Sequence, residues 1–239
     1  MMRCAMLIGL AMALSSSALA SEDDLPKIAY PRLPTTVQHA SDFVPSGWKL
    51  VALDTGDLSG DNQPDVAVLM RMADPANIKS VSSSPYYKTD DTNPYLLAIG
   101  FARGGGFTLA TSNSALFPRE VAPMHGDDPP GPETVEIRQG VLILTLGHIR
   151  GFDRLRFRWN GRAFPLIGYD CAGVAGGDFT SLSVNYLTGK AMIEKGDVSS
   201  DHGKVTTVEI RPDKRPTLDQ INWEFGWAGS DVRGASLAC

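Results

Sequence analysis

Gly56-Asp57-Leu58-Ser59-Gly60-Asp61-Asn62-Gln63-Pro64-Asp65 runs directly into Val66-Ala67-Val68-Leu69-Met70. The second half is a short continuous apolar run, the pattern of a strand buried on both faces. The first half places Asp57, Ser59, Asp61 and Asp65 at positions 1, 3, 5 and 9 of a loop, with the Gln63 carbonyl at position 7. Alternating oxygen donors on a tight loop suit a hard cation such as Ca²⁺, which takes six to eight oxygens. Asn62 stands where the chain must turn sharply, and Asn tolerates the left-handed conformation better than most residues. Asp, Asn, Gly and Pro also make ordinary turns. Three carboxylates within nine residues repel one another without a counter-ion, which favours the cation. Ser59 stands at a position more often Asp or Asn, and Val68 occupies the twelfth position, where a Glu would close the site. With fewer charged ligands the expected affinity is weak to moderate, Asp65 taking the closing role.

Working outward, Trp48 to Leu53 reads as the strand that feeds the loop. Strand patterns recur at Tyr95–Ala102, Phe107–Ala110, Glu133–Ile137, Val141–Leu146, Leu155–Trp159, Ala163–Tyr169, Leu182–Tyr186, Ala191–Glu194 and Lys204–Arg211. Ile221, Trp223, Phe225 and Trp227 alternate in a last one. Asn160-Gly161 predicts a two-residue hairpin turn, and Pro165 predicts an edge position or a bulge on the return strand. Pro31 to Pro45 reads as extended chain with one short helical turn. Met72 to Pro94 and Asn113 to Pro132 are rich in Ser, Asp, Asn and Pro and read as long irregular loops. No stretch of ten residues keeps a helical period, so the fold class is all-β, with antiparallel sheets.

The 239 residues are 43% hydrophobic and 21% charged, an ordinary globular balance. Met1-Met2-Arg3, an apolar stretch from Cys4 to Leu14 and the ending Ala18-Leu19-Ala20 predict a secretory signal with cleavage after Ala20. The apolar core is too short for a permanent anchor, so no membrane insertion is expected after cleavage. Losing Arg3 leaves 21 basic against 27 acidic residues, a net charge of −6 rather than −5. Such a chain is a poor partner for nucleic acid or an anionic membrane surface. Cys171 and Cys239 are then the only cysteines, and in an oxidising compartment they are expected to form one disulfide.

Other clusters carry less. His39, His125, His148 and His202 have no metal spacing, and His148 reads as a hydrogen-bonded histidine at a strand end. Ser200-Asp201-His202 holds triad residue types, but contiguous residues seldom assemble the geometry. Gly104-Gly105-Gly106 is followed by no helix and no Lys-Ser or Lys-Thr, so it is not a phosphate loop. Asp127, Asp128 and Glu133 read as a polar loop rather than paired catalytic carboxylates. Trp223, Phe225 and Trp227 read as core residues rather than a sugar platform.

The segment Gly56 to Val66 resembles the Gly-Asp-Leu-Asn-Gly-Asp-Gly-x-x-Asp-Leu signature of FG-GAP and VCBS-type repeats. The resemblance implies Ca²⁺ bound in a loop between strands of β-propeller blades, carried over to Asp57, Ser59, Asp61, Gln63 and Asp65. Asn62 replaces the common Gly and Ser59 the common Asn. The motif occurs once. Separately, Phe43-Val44-Pro45-Ser46-Gly47-Trp48, the acidic loop, Leu166-Ile167-Gly168-Tyr169-Asp170 and Ser183 to Lys190 resemble a group of exported bacterial proteins of unknown function. That likeness implies export and a β fold, and brings no catalytic residues.

The expected organisation is a signal at residues 1–20, an extended leader at 21–45 and a single β domain at 46–239. The expected architecture is propeller-like, with a two-sheet β-sandwich as the alternative. The expected function is a periplasmic or secreted, non-enzymatic calcium-binding protein that meets a protein or glycan partner in the envelope. A hydrolase of cell-wall or extracellular polymers, with acidic residues in the two long loops, is one alternative. A carbohydrate-binding module using Trp223 or Trp227 is another.

Overall fold

Three apolar strand runs, Val66–Met70, Leu96–Ile99 and Leu142–Leu146, locate the centre of the molecule in the computed structural model. The structure describes residues 25, 27–80, 89–117, 119, 132–148, 150–200, 203–210, 215–222 and 239. Strands make up 58% of these and helix 4%. Residues 1–20, His125, Asp127, Asp128, His202, Trp223, Phe225 and Trp227 lie outside the described residues, as does most of the last predicted strand.

Two antiparallel sheets form the body. β1 (Thr36–Val37), β2 (Trp48–Gly56), β3 (Asp65–Met72), β6 (Tyr95–Arg103) and β7 (Gly106–Asn113) make the first, in the order β1-β7-β6-β3-β2. β4 (Ile78–Ser80) and β5 (Thr89–Asp91) form a small separate pair. The second sheet is one uninterrupted meander: β8 (Pro132–Arg138), β9 (Val141–His148), β10 (Gly151–Arg158), β11 (Leu166–Ala175), β12 (Asp178–Asn185), β13 (Lys190–Asp197) and β14 (Lys204–Glu209). This is the two-sheet arrangement, and neither sheet closes into a barrel. The propeller-like expectation gives way for a physical reason. A propeller divides its strands into small blades, whereas here each hairpin of the second sheet pairs with the next without a break.

The continuous apolar runs follow from burial on both faces. Ala67 and Leu69 of β3 face a core shared with Leu142, Leu144, Leu155, Phe157, Leu166 and Leu182 of the second sheet. Val66, Val68 and Met70, on the opposite face, pack on Leu33 and Phe43 from the segment before β2. That segment contains a 3₁₀ turn at Ala40–Phe43, close to the short helical turn expected there. Phe43 is fully buried, and it lies on Gly100, where a Cβ would come within 2.7 Å of its ring. The close approach explains the glycine in an otherwise bulky strand.

The sheets also meet at their edges. The Asp54 carboxylate on β2 accepts the Ile137 N–H of β8 at 2.7 Å. A backbone donor at the rim of one sheet is thereby satisfied by a side chain from the other.

Two local expectations are corrected. Asn160-Gly161 does not make a two-residue turn: Gly161 has φ of 92° but Asn160 is not left-handed. Instead the Asn160 side chain accepts the Arg162 and Ala163 N–H groups, and the connection runs from Arg158 to Leu166. The wider loop lets Phe164 enter the core and Pro165 bridge to Thr217. β11 is an interior strand rather than an edge, and the irregularity expected with Pro165 appears as the register shift at Arg156/Phe157 opposite the start of β11.

Met72–Pro94 is also more ordered than its composition suggests. A 3₁₀ turn at Pro75–Asn77 leads into β4, and Asn77, Thr92 and Asn93 are buried. These polar side chains are tied to one another: Asn77 Nδ2 donates to Asn93 Oδ1 and Thr92 Oγ1 to the Asn77 carbonyl. Arg71 bonds the Asn93 and Asp91 carbonyls and pairs with the Asp91 carboxylate at 3.1 Å. A loop of this composition reads as solvated because sequence alone does not show that its polar groups are mutually satisfied.

Candidate functional site

The acidic loop joins β2 to β3 and is held in shape by its own carboxylates. Asp57 Oδ1 accepts the Gly60 and Asp61 N–H groups at 2.6 and 3.2 Å, and its Oδ2 accepts that of Asn62 at 2.9 Å. Asp61 Oδ1 accepts the Gln63 N–H at 2.9 Å. Asp65, the first residue of β3, is fully buried. Its Oδ2 takes the Leu58 and Ser59 N–H groups at 2.8 and 2.7 Å, and its Oδ1 takes that of Ala102 at 2.8 Å. Backbone amides pointing at a carboxylate replace the water it loses on burial. Asn62 has φ of 64°, so the sharp left-handed turn falls where the sequence places it.

The five predicted ligand positions thus share one loop, with different commitments. An ionised carboxylate has about four acceptor sites. Asp57 Oδ2, Asp61 Oδ1 and Asp65 Oδ1 each take a single N–H in these contacts and keep a further lone pair. Ser59 Oγ is buried without a hydrogen-bond partner among the described residues. An oxygen-only donor set with an orphaned hydroxyl at its third position has the chemistry of a hard-cation loop. Among the described residues no three acidic, histidine or cysteine side chains form a group that could hold a metal ion, so a cation here would rely on hydroxyl and carbonyl oxygens as well. Asp57 and Asp65 each accept three backbone amides, leaving Ser59, Asp61 and the Gln63 carbonyl as the less committed donors.

Beside the loop lies a cleft of 460 Å³, within the roughly 300–1,000 Å³ of small-molecule sites. Asp57 and Ser59 line it from the β2–β3 loop, Gln139 and Gly140 from the β8–β9 turn, and Arg158 and Trp159 from the end of β10. Gln139 and Gly140 are both left-handed, with φ of 51° and 74°, as a two-residue hairpin requires. Trp159 is half-buried, its ring 5.0 Å from both Phe101 and Phe164. Arg158 is exposed. Sequence reasoning found the strands Glu133–Ile137 and Val141–Leu146 that flank Gln139-Gly140, and the strand ending at Trp159. It did not bring them to the acidic loop, because no local pattern encodes a meeting between different sheets.

The predicted disulfide is present: Cys171 of β11 is bonded to Cys239, with Cα atoms 6.1 Å apart. Cys171 lies in the core and Cys239 is exposed. His39 is exposed and pairs with Asp42 at 3.5 Å beside the 3₁₀ turn.

No family model, curated protein or solved structure matches the chain.

Proposed function

We propose that this chain is an exported, non-enzymatic binding protein in which the acidic loop holds one structural Ca²⁺. The observation that carries this reading is the construction of the loop. Six backbone N–H groups are gathered by Asp57 and Asp65, so the turn is shaped before any ion arrives. Asp57, Ser59, Asp61 and the Gln63 carbonyl would hold the ion, with Asp65 bracing the loop from beneath. Bound Ca²⁺ would supply positive charge between carboxylates that otherwise repel. The residues themselves do the remaining work: they join two strands in fixed register and set one wall of the cleft.

The disulfide supports export, since such bonds persist in oxidising compartments. In this reading the sandwich is a rigid support, and its loops and cleft meet a protein or glycan partner in the envelope. The test is thermal unfolding with a calcium chelator and with millimolar Ca²⁺. A higher melting temperature with Ca²⁺ supports the reading, and identical melting overturns the calcium assignment.

A further inference from the structure

We infer that the cleft between the acidic loop and the β8–β9 turn binds a short neutral saccharide, on Trp159 and between Asp57, Gln139 and Arg158. The inference adds a ligand class to the proposed binding role and does not require the calcium ion. A sugar ring offers apolar C–H faces together with hydroxyls that both donate and accept. The cleft has the matching inventory: an indole, a guanidinium with five donors, a primary amide that donates and accepts, and a carboxylate that accepts. One acidic and one basic side chain line it, so its formal charge is balanced. A phosphate would meet Asp57, and an ammonium would meet Arg158. A neutral polyhydroxyl ligand meets neither opposition.

Two further features favour a ligand site over an incidental groove. Trp159 is held by Phe101 and Phe164, so little freedom remains to be lost when a ring stacks on it. Gln139 occupies a left-handed position that Gly or Asn fills at lower cost, and strained residues collect where a side chain is used. The indole invoked is neither Trp223 nor Trp227.

The experiment uses the full exported chain with maltotriose, cellotriose and triacetylchitotriose, and inorganic phosphate as the anionic control. Tryptophan fluorescence and ligand-observed NMR report binding. The expected result is saturable binding of at least one trisaccharide, with a dissociation constant of about 1 mM or tighter. Arg158→Ala, at an exposed position, and Gln139→Gly should each weaken it about tenfold. Gln139→Gly removes the side chain while suiting the backbone, so its melting temperature should hold or rise as binding falls. The proposal is overturned if no trisaccharide binds at about 10 mM, if only phosphate binds, or if both variants bind as the wild type does. A melting temperature indifferent to Ca²⁺ would remove the calcium assignment and leave this test standing.

Discussion

Asp65 Oδ1 accepts the Ala102 N–H at 2.8 Å, continuing the β3–β6 ladder after the backbones have ceased to pair at Val66 and Gly100. Its second oxygen reaches back to Leu58 and Ser59 in the loop. One buried side chain therefore fastens the loop, the start of β3 and the end of β6. The residue that sequence reading assigns to closing a metal site is also a closing residue for the protein itself.

Removing that carboxylate leaves three backbone donors without their acceptor. Hydrogen bonds to a charged group are worth about 1.5–3 kcal/mol each and do not simply add. Asp65→Ala should therefore destabilise the fold by at least about 3 kcal/mol in urea unfolding. Asp65→Asn should also be destabilising, because its NH₂ must face amides that themselves donate. A change within about 0.5 kcal/mol for Asp65→Ala would place the residue with ordinary surface positions and contradict this account.

Much of the fold was legible because strands announce themselves by period. Val66–Met70 and Leu96–Ile99 read as buried runs, and both prove to be covered on two faces. Leu155 and Phe157 alternate with Arg156 and Arg158, and the apolar pair lies in the core. What failed depended on partners distant in sequence. Phe164 and Pro165 widen the Asn160-Gly161 loop because they engage the core and Thr217. Asn77, Thr92 and Asn93 look like surface residues until their partners are known. The acidic loop was visible as a motif, but its cleft was not. Arg158 and Gln139 come from another sheet, and nothing beside either residue marks it.

The Cys171–Cys239 bond spans 68 positions and pins a core strand to the end of the described chain. Loop-closure entropy assigns such a crosslink about 4 kcal/mol, on a model that treats the unfolded chain as free. Reduction should lower the unfolding midpoint accordingly. Thiol labelling in denaturant without reductant should find none in protein processed after Ala20, and one, Cys4, in the unprocessed chain. Labelling of Cys171 or Cys239 under those conditions would contradict the bond.

Burial raises the phenol pKa of both Tyr95 and Tyr186; Arg71, close to Tyr95, opposes the shift there without cancelling it. The protonated phenol is thus the form the fold prefers. Stability from this preference is fully present below about pH 10, the unfolded value, and is lost as pH rises above it. An alkaline titration followed by phenolate absorbance should show a late fraction that ionises only with unfolding. If all six tyrosines of the chain titrate near pH ~10 while the fold persists, burial has not shifted these two.

Asp61 separates the loop's two jobs. Its carboxylate accepts one N–H, from Gln63 two residues on, so it fastens no other strand. Asp61→Ala should therefore cost only about 1 kcal/mol in chelator, far less than Asp65→Ala. In calcium the outcome should differ. An ion bound at ~10 µM and supplied at ~1 mM stabilises the wild type by about 2.7 kcal/mol. For a domain of this size that is a rise of several degrees in melting temperature. Asp61→Ala deletes the least committed carboxylate of the loop and should abolish the rise. Asp65→Ala should melt early in chelator and in calcium alike, because its loss is to the protein's own amides. A double comparison of this kind isolates the ion from the scaffold. If Asp61→Ala keeps the full calcium response, the ion is held elsewhere or not at all, and the loop is a self-braced turn.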